Sequence, residues 1–404
     1  MKLVFGTLLI ASCLLFTACE KKYSPARNQK VKPVQLGLYV ENGKLMRNGK
    51  QYQGVGVNYF DAFYRVLKNT NDSSYVAGFE KLAKAKIPFA RFMCGGFWPV
   101  EYNLYFKNKK AYFKLLDGVI KTAEKNHVGL IPSLFWHYAT VPDLMKEPMD
   151  QLGNTNSKSI AFIKNYTKEI VTRYKDSPAI WGWELGNEYN LKIDLPNAAD
   201  HRPWVWPNLG TATNRTERDE LTSKQMNVVM RVFAETVRKY DKNRIISTGN
   251  AVPRWFAYHN SLNKSWGEDT VEQYKEILSR DNPNPCDVIS VHIYPEKNNK
   301  YSGRAKSITE LIKLSNELAD SIGKPLFIGE FGVPNSYSNQ MKNIYEEYIS
   351  AIKKYKIPLA ALWVYDFNSQ NVEWNSTFEN ERAYMLEKIS EINITNRLQH
   401  GNTK

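Results

Sequence analysis

From about residue 35 onward, the chain alternates between two patterns of apolar and polar positions. Short runs that are apolar on both faces recur at Gly54–Asn58, Phe89–Phe92, Gly129–Ser133, Ile180–Glu184, Arg244–Thr248, Val288–His292, Leu326–Gly329 and Ala360–Val364. Between them, core-type positions fall at spacings of three and four. Ile160, Ile163, Thr167, Ile170, Val171 and Tyr174 form one such face, Met226, Val229, Phe233, Thr236, Val237 and Tyr240 a second, and Ile344, Tyr348 and Ile352 a third. Strands hidden on both faces, alternating with amphipathic helices, predict parallel β/α units rather than a sandwich. Eight units in one unbroken series predict an α/β fold of the (β/α)8 TIM-barrel type. The competing fold, an open doubly wound sheet, prefers a glycine-rich loop after its first strand. Here Gly54-Val55-Gly56-Val57-Asn58 lacks both the third glycine and the start of a helix. Ahead of the barrel, Asn42-Gly43 and Asn48-Gly49 interrupt short apolar runs beginning at Leu38 and predict a β-hairpin.

The first residues follow neither pattern. Met1-Lys2 is a short basic start and Leu3 to Phe16 is almost wholly apolar, too short for a mature membrane span but of the length of a secretory signal core. Thr17-Ala18-Cys19, followed by Glu20-Lys21-Lys22, resembles a bacterial lipobox. This implies a signal peptide over 1–18, lipid attachment at Cys19 and a polar tether over 19–34. The expected location is therefore a bacterial membrane, reached by export. One catalytic domain is expected over 35–395, with a polar tail at 396–404.

Composition narrows the function. With 55 Lys+Arg against 41 Asp+Glu, the 404-residue chain has a formal charge of +14, which raises the question of nucleic acid. The basic residues are dispersed, no binding motif appears and export separates the chain from nucleic acid, so none is expected as a partner. Cys94 and Cys286 are far apart in sequence and read as buried free thiols, the alternative being a disulfide formed in an oxidising compartment. The absence of C-x-x-C, H-E-x-x-H and histidine clusters leaves no metal or other cofactor expected.

In a barrel, the C-terminal strand ends face the active site. Here they carry Arg91, Trp136-His137, Asn187-Glu188, His292 and Tyr294, Glu330, and Trp363. Two carboxylates converging from strands four and seven, among aromatics and without metal ligands, are the equipment of glycoside hydrolysis. One protonates the leaving oxygen; the other attacks the sugar or activates water. Phe97, Trp98, Trp136, Trp204, Trp206, Trp255 and Trp363 all fall at or just after strand ends, where flat rings would meet the C–H faces of sugars. Trp181 and Trp183 lie inside a strand and are expected in the core. Glu184, four residues before Glu188, is expected to be a structural partner, and Asp366 either a substrate contact or a loop residue. His127, His201, His259 and His400 are given no role.

The set Arg91, His137, Asn187-Glu188, His292, Tyr294, Glu330 and Trp363 resembles, in type and order, the active site of retaining glycoside hydrolases of family 5, the cellulase–mannanase family of clan A. The likeness spans Gly54 to Trp363. It implies Glu188 as acid/base and Glu330 as nucleophile. Arg91 and Tyr294 would hold Glu330, Asn187 the sugar 2-hydroxyl, and His292 the proton inventory of Glu188; His137 would touch the sugar and Trp363 would form its floor. It further implies a monomeric enzyme that cleaves a β-1,4-linked mannan or glucan internally. The alternatives are exo action, or a catalytically silent sugar-binding lipoprotein on the same barrel. The long segments 189–218 and 251–287 are expected to shape the subsites.

Overall fold

The computed structural model describes residues 35–401, apart from 297 and 299. The signal, the lipid-bearing Cys19 and the tether therefore lie outside the described residues, as does the end of the tail. Three short antiparallel strands come first, β1 (Tyr39–Glu41), β2 (Lys44–Arg47) and β3 (Lys50–Gln51). Both Asn-Gly pairs turn the chain with positive φ, at 51° and 72° for Asn42-Gly43 and at 51° and 76° for Asn48-Gly49. This is the turn that matches strand twist.

Eight parallel strands follow: β4 (Gly54–Asn58), β5 (Phe89–Met93), β6 (Gly129–Phe135), β7 (Gly182–Gly186), β8 (Ile245–Ser247), β9 (Ile289–Ile293), β10 (Leu326–Phe331) and β11 (Leu359–Leu362). Their order, β8-β7-β6-β5-β4-β11-β10-β9, is that of a barrel unrolled at the β8/β9 seam. There Asp287 stands in for a ladder. Its N–H donates to Ile246 O (2.9 Å), and its carboxylate accepts from Ile246 N (2.7 Å) while pairing with Arg238. A strand-strand ladder is thus replaced by one acidic residue, and the (β/α)8 barrel expected from the pattern is the fold.

The predicted helical faces are the inner faces of Lys158–Tyr174, Ser223–Tyr240 and Met341–Lys354. Every residue of the first set is buried. The core runs between strands and helices, with a second cluster plugging the strand N-termini: Leu38, Leu45, Phe89, Ile131, Trp181 and Phe327. Trp181 and Trp183 are core residues, as expected. Cys94 and Cys286 are buried free thiols, the latter pushed up to about 12 by burial. Two boundaries differ from expectation. The last helix, Ala383–Gly401, passes through residue 395, so the polar composition that marked a tail does not end the helix. Segment 251–287 is not one loop; it contains the helices Ala257–Asn263 and Val271–Asp281. No described helix is long and apolar enough to cross a membrane.

Candidate active site

The site is built outward from Arg91, fully buried in the middle of β5. Its Nε donates to Glu184 Oε1 (2.7 Å), and its terminal nitrogens donate to Glu330 Oε1 (2.7 Å), Asn58 Oδ1 (2.9 Å) and Asn187 Oδ1 (2.9 Å). The ring of Trp136 lies under the guanidinium, 4.5 Å away. A buried cation is tolerable only when paired and fully bonded, and here two carboxylates and two amides satisfy it. Glu184 is the structural partner expected, also accepting from Ser247 Oγ (3.1 Å).

Glu330 is 4% exposed. Its second oxygen accepts from the Tyr294 hydroxyl at 2.6 Å. Glu188 sits at the pocket wall, on a backbone with φ 53°, ψ 31°. Two main-chain bonds present it: Asn187 N donates to Trp136 O (2.9 Å) and Glu188 N to Gly249 O (2.8 Å). Gly249 is required there, since its φ is +73° and a Cβ would lie 1.9 Å from Gly186 O. His292 Nδ1 faces both acids, 3.1 Å from Glu188 Oε1 and 3.6 Å from Glu330 Oε2. Its Nε2 is buried without a partner against Gly329, where a Cβ would lie 2.7 Å from it. The Nδ1–H tautomer is the one that meets an acceptor.

Burial dominates the proton affinities. It pushes Glu188 upward, against the pull of Arg91, Arg254 and Lys192. It also pushes Glu330 upward, opposed by His292, Arg91 and the Tyr294 bond, with Glu188 adding to the rise. His292 falls to about 4 and His137 to about 3, each chiefly by burial, so both rings are neutral near pH 7. One oxygen of each acid and a His292 nitrogen lie within 4.8 Å of one another, a spacing that could also hold a cation. Arg91 and Tyr294, however, already occupy the Glu330 oxygens, and a cation there would confront the guanidinium.

Two cavities meet at Glu188. One, of about 370 Å³, is lined by Phe97, Trp136, His137, Asn187, Lys192 and Trp204, among others. The other, of about 220 Å³, includes Arg254, Trp255, Tyr294 and Glu296. His137 is held between aromatic planes, at 5.6 Å and 5° from Trp204 and 5.2 Å and 25° from Phe97. Trp98 stacks on Trp206 at 5.7 Å and 11°. Trp204 and Trp206 are 57% and 50% exposed. The loop carrying them is pinned by a bidentate pair, Arg215 to Asp143 (both 2.7 Å), with Arg215 also donating to Trp204 O (3.1 Å).

The seven aromatics therefore do not form one mouth of equivalent platforms. Trp136 is 4% exposed and backs Arg91; Trp204 and Trp206 are open; Trp255 lines the smaller cavity under Lys300. Trp363 directly follows β11, stacks on Trp136 (6.0 Å, 30°) and donates its indole N–H to Gln370 Oε1 (2.9 Å). Asp366 is tied to Tyr59 (2.6 Å) and Arg65 (3.0 Å), a structural anchor. His201, given no role from sequence, lines the larger cavity. Sequence reasoning also missed Asn58, Gln370, Lys192 and Arg254. Asn58 was legible as the last residue of the first barrel strand; the other three lie on loops and carried no signal.

This barrel, with two carboxylates and their donors at its mouth, defines a glycoside hydrolase. The chain belongs to glycosyl hydrolase family 5, the cellulase family, whose model matches residues 48–369. Among its relatives, mannan endo-1,4-beta-mannosidase 4 of Solanum lycopersicum is 23% identical over 325 residues, 73% of this chain and 72% of that one. Mannan endo-1,4-beta-mannosidase F of Aspergillus clavatus is 39% identical over 83 residues, 19% of each chain. The solved endo-1,4-beta-mannanase of Rhizomucor miehei shares the fold at TM-score 0.63 and 16% identity, over 89% of this chain and 99% of that one.

Proposed function

We propose that the protein is a retaining, endo-acting β-1,4-mannanase. Glu330 attacks the anomeric carbon while Glu188 gives its proton to the departing glycosidic oxygen. Water then attacks the glycosyl–Glu330 ester, Glu188 takes the water's proton, and the Glu330 carboxylate is released. The observation that carries this reading is the spacing of the two acids, with oxygens within 4.8 Å. Retaining enzymes hold their carboxyls about 5–5.5 Å apart, inverting ones about 6.5–9.5 Å.

The division of labour follows from the donors around each acid. Arg91 and Tyr294 bond to both Glu330 oxygens, stabilising its anion, so the proton shared by the pair resides on Glu188. Asn187, oriented by Arg91, is placed to hold a sugar hydroxyl, His137 to contact the sugar, and Trp363 to form its floor. Mannan is favoured over glucan because the relatives named above are mannanases. Internal cleavage is supported by cavities on both sides of Glu188.

The anomeric form of the first product, followed by NMR on a mannan oligosaccharide, tests the mechanism: the β-anomer is expected, and an α-anomer would refute a nucleophile at Glu330. Glu330→Ala should lower kcat on the order of 10⁴-fold or more with the fold intact. A product profile on mannan, carboxymethylcellulose and xyloglucan chooses among substrates, and release of single sugars from chain ends would replace the endo reading by an exo one. On the sequence of residues 1–22 alone, we also propose lipid anchoring at Cys19 after export, with the catalytic domain acting as a monomer. Cys19→Ala should then move the protein from the membrane to the soluble fraction.

A further inference from the structure

The turn that follows Glu188, Tyr189–Lys192, brings Lys192 beside that acid, with Leu191 N donating to Glu188 O (3.1 Å). From the β8–β9 connection, the Arg254 guanidinium reaches the same turn and rests on Leu191 O through two 3.3 Å bonds. Lys192 and Arg254 are both half-buried. Burial lowers the proton affinity of both, and Arg254 adds to the fall at Lys192; Glu296 and Glu188 oppose it at Arg254, and Glu188 opposes it at Lys192. Among the described residues neither makes an ion pair, and Lys192 makes no hydrogen bond from its ammonium. The carboxylates that face them are Glu188 and, across the smaller cavity, Glu296.

Of the other cations about the cleft, Arg91 binds two carboxylates, Arg202 binds Glu220, Arg215 binds Asp143, and Lys300 lies over the Trp255 ring. Two half-desolvated cations whose facing carboxylates, Glu188 and Glu296, lie beyond ion-pair distance are an arrangement that a further anion would stabilise. A neutral mannan or glucan carries no such anion. Both residues line the larger cavity together with Glu188, and Arg254 lines the smaller one as well.

We propose that Lys192 and Arg254 form a subsite for a carboxylate-bearing sugar, a uronic acid unit, beside Glu188. The proposal rests on the hydrolase reading and deepens it by naming the charge class of the substrate. A guanidinium fork and an ammonium on adjoining turns suit a planar carboxylate, and each charge-assisted bond strengthens as the cleft excludes water.

The test compares a neutral β-1,4-mannan oligosaccharide with one of equal length carrying a glucuronic acid unit. Wild-type kcat/KM should favour the acidic substrate, and that preference should shrink about tenfold in Lys192→Gln and in Arg254→Gln. It should also weaken as salt is raised. An equal fall on both substrates, with a common displacement of the pH profile, would mean that the two cations serve only Glu188 and would overturn the proposal. Binding is measured in parallel by calorimetry with the Glu330→Gln protein, with and without Lys192→Gln. Tighter binding of the acidic oligosaccharide, lost on Lys192→Gln, supports the subsite even if wild type hydrolyses neither substrate and the mannanase reading fails. Equal binding of the two oligosaccharides refutes it. Thermal melts check that the variants are folded.

Discussion

Each end of the barrel holds an arginine over a tryptophan, and the two pairs do opposite work. At the strand N-termini, Arg47 lies 3.9 Å from the ring of Trp181, with Tyr52 edge-on to that ring. At the C-termini, Arg91 lies 4.5 Å from Trp136. Below, the tryptophan is the principal member: it fills the plug of Leu38, Leu45, Phe89 and Phe327, and the half-buried arginine only covers it. Above, the arginine is the principal member, bonded to Glu184, Glu330, Asn58 and Asn187, and the tryptophan backs it. The same pair therefore seals one end and orients acids at the other. The difference lies in what surrounds it: apolar groups that need only be covered, or polar groups that must each find a partner.

Matched substitutions should separate the two ends. Arg91→Met leaves Glu184 and Glu330 buried without their counter-charge; it should cost about 3–5 kcal/mol in a denaturant melt and reduce kcat/KM at neutral pH on the order of 10³-fold. Survival of near-normal activity would show that Arg91 is only a structural ion-pair partner. Tyr294→Phe removes the donor to Glu330 and should lower kcat about 10²-fold. The sign of its pH effect follows from the ionised form being the reactive one. Activity falls as pH drops through the Glu330 pKa, and loss of a bond to the anion raises that pKa. The acid limb of kcat/KM therefore moves to higher pH, while the alkaline limb, where Glu188 loses its proton, stays in place. Trp204→Ala, on an exposed ring, should raise KM for polysaccharide several-fold with kcat within about twofold and little change in Tm. Arg47→Met should have the smallest effect, about 1 kcal/mol or less in stability and none on kinetics. If Arg47→Met altered kcat, the two ends would be coupled and the contrast would fail.

The eight strands and their helices were legible because their burial pattern is local. Runs hidden on both faces and faces repeating at three and four positions need no knowledge of neighbours. The same reading placed Arg91, Glu188, His292, Tyr294 and Glu330 near strand ends, and the fold brings them to one cleft. The aromatic residues were less legible. Position along the chain put Trp136 and Trp204 in one class, yet one is 4% and the other 57% exposed. Lys192, Arg254 and Gln370 gave no signal at all, since a loop residue's partners are set by how loops from different strands fold onto one another.

What the sequence by itself determined was the alternation of elements, the barrel that follows from it, and the residues standing at the strand ends. Only the tertiary structure decided which of those residues touch. The closing of the β8/β9 seam by Asp287, the sharing of Arg91 between Glu184 and Glu330, and the approach of Arg254 to the turn carrying Lys192 beside Glu188 all join positions far apart in the chain. Periodicity fixes which face of an element is buried. Pairing of charges and amides depends on distances of a few ångströms across strands, and those exist only once the barrel has closed.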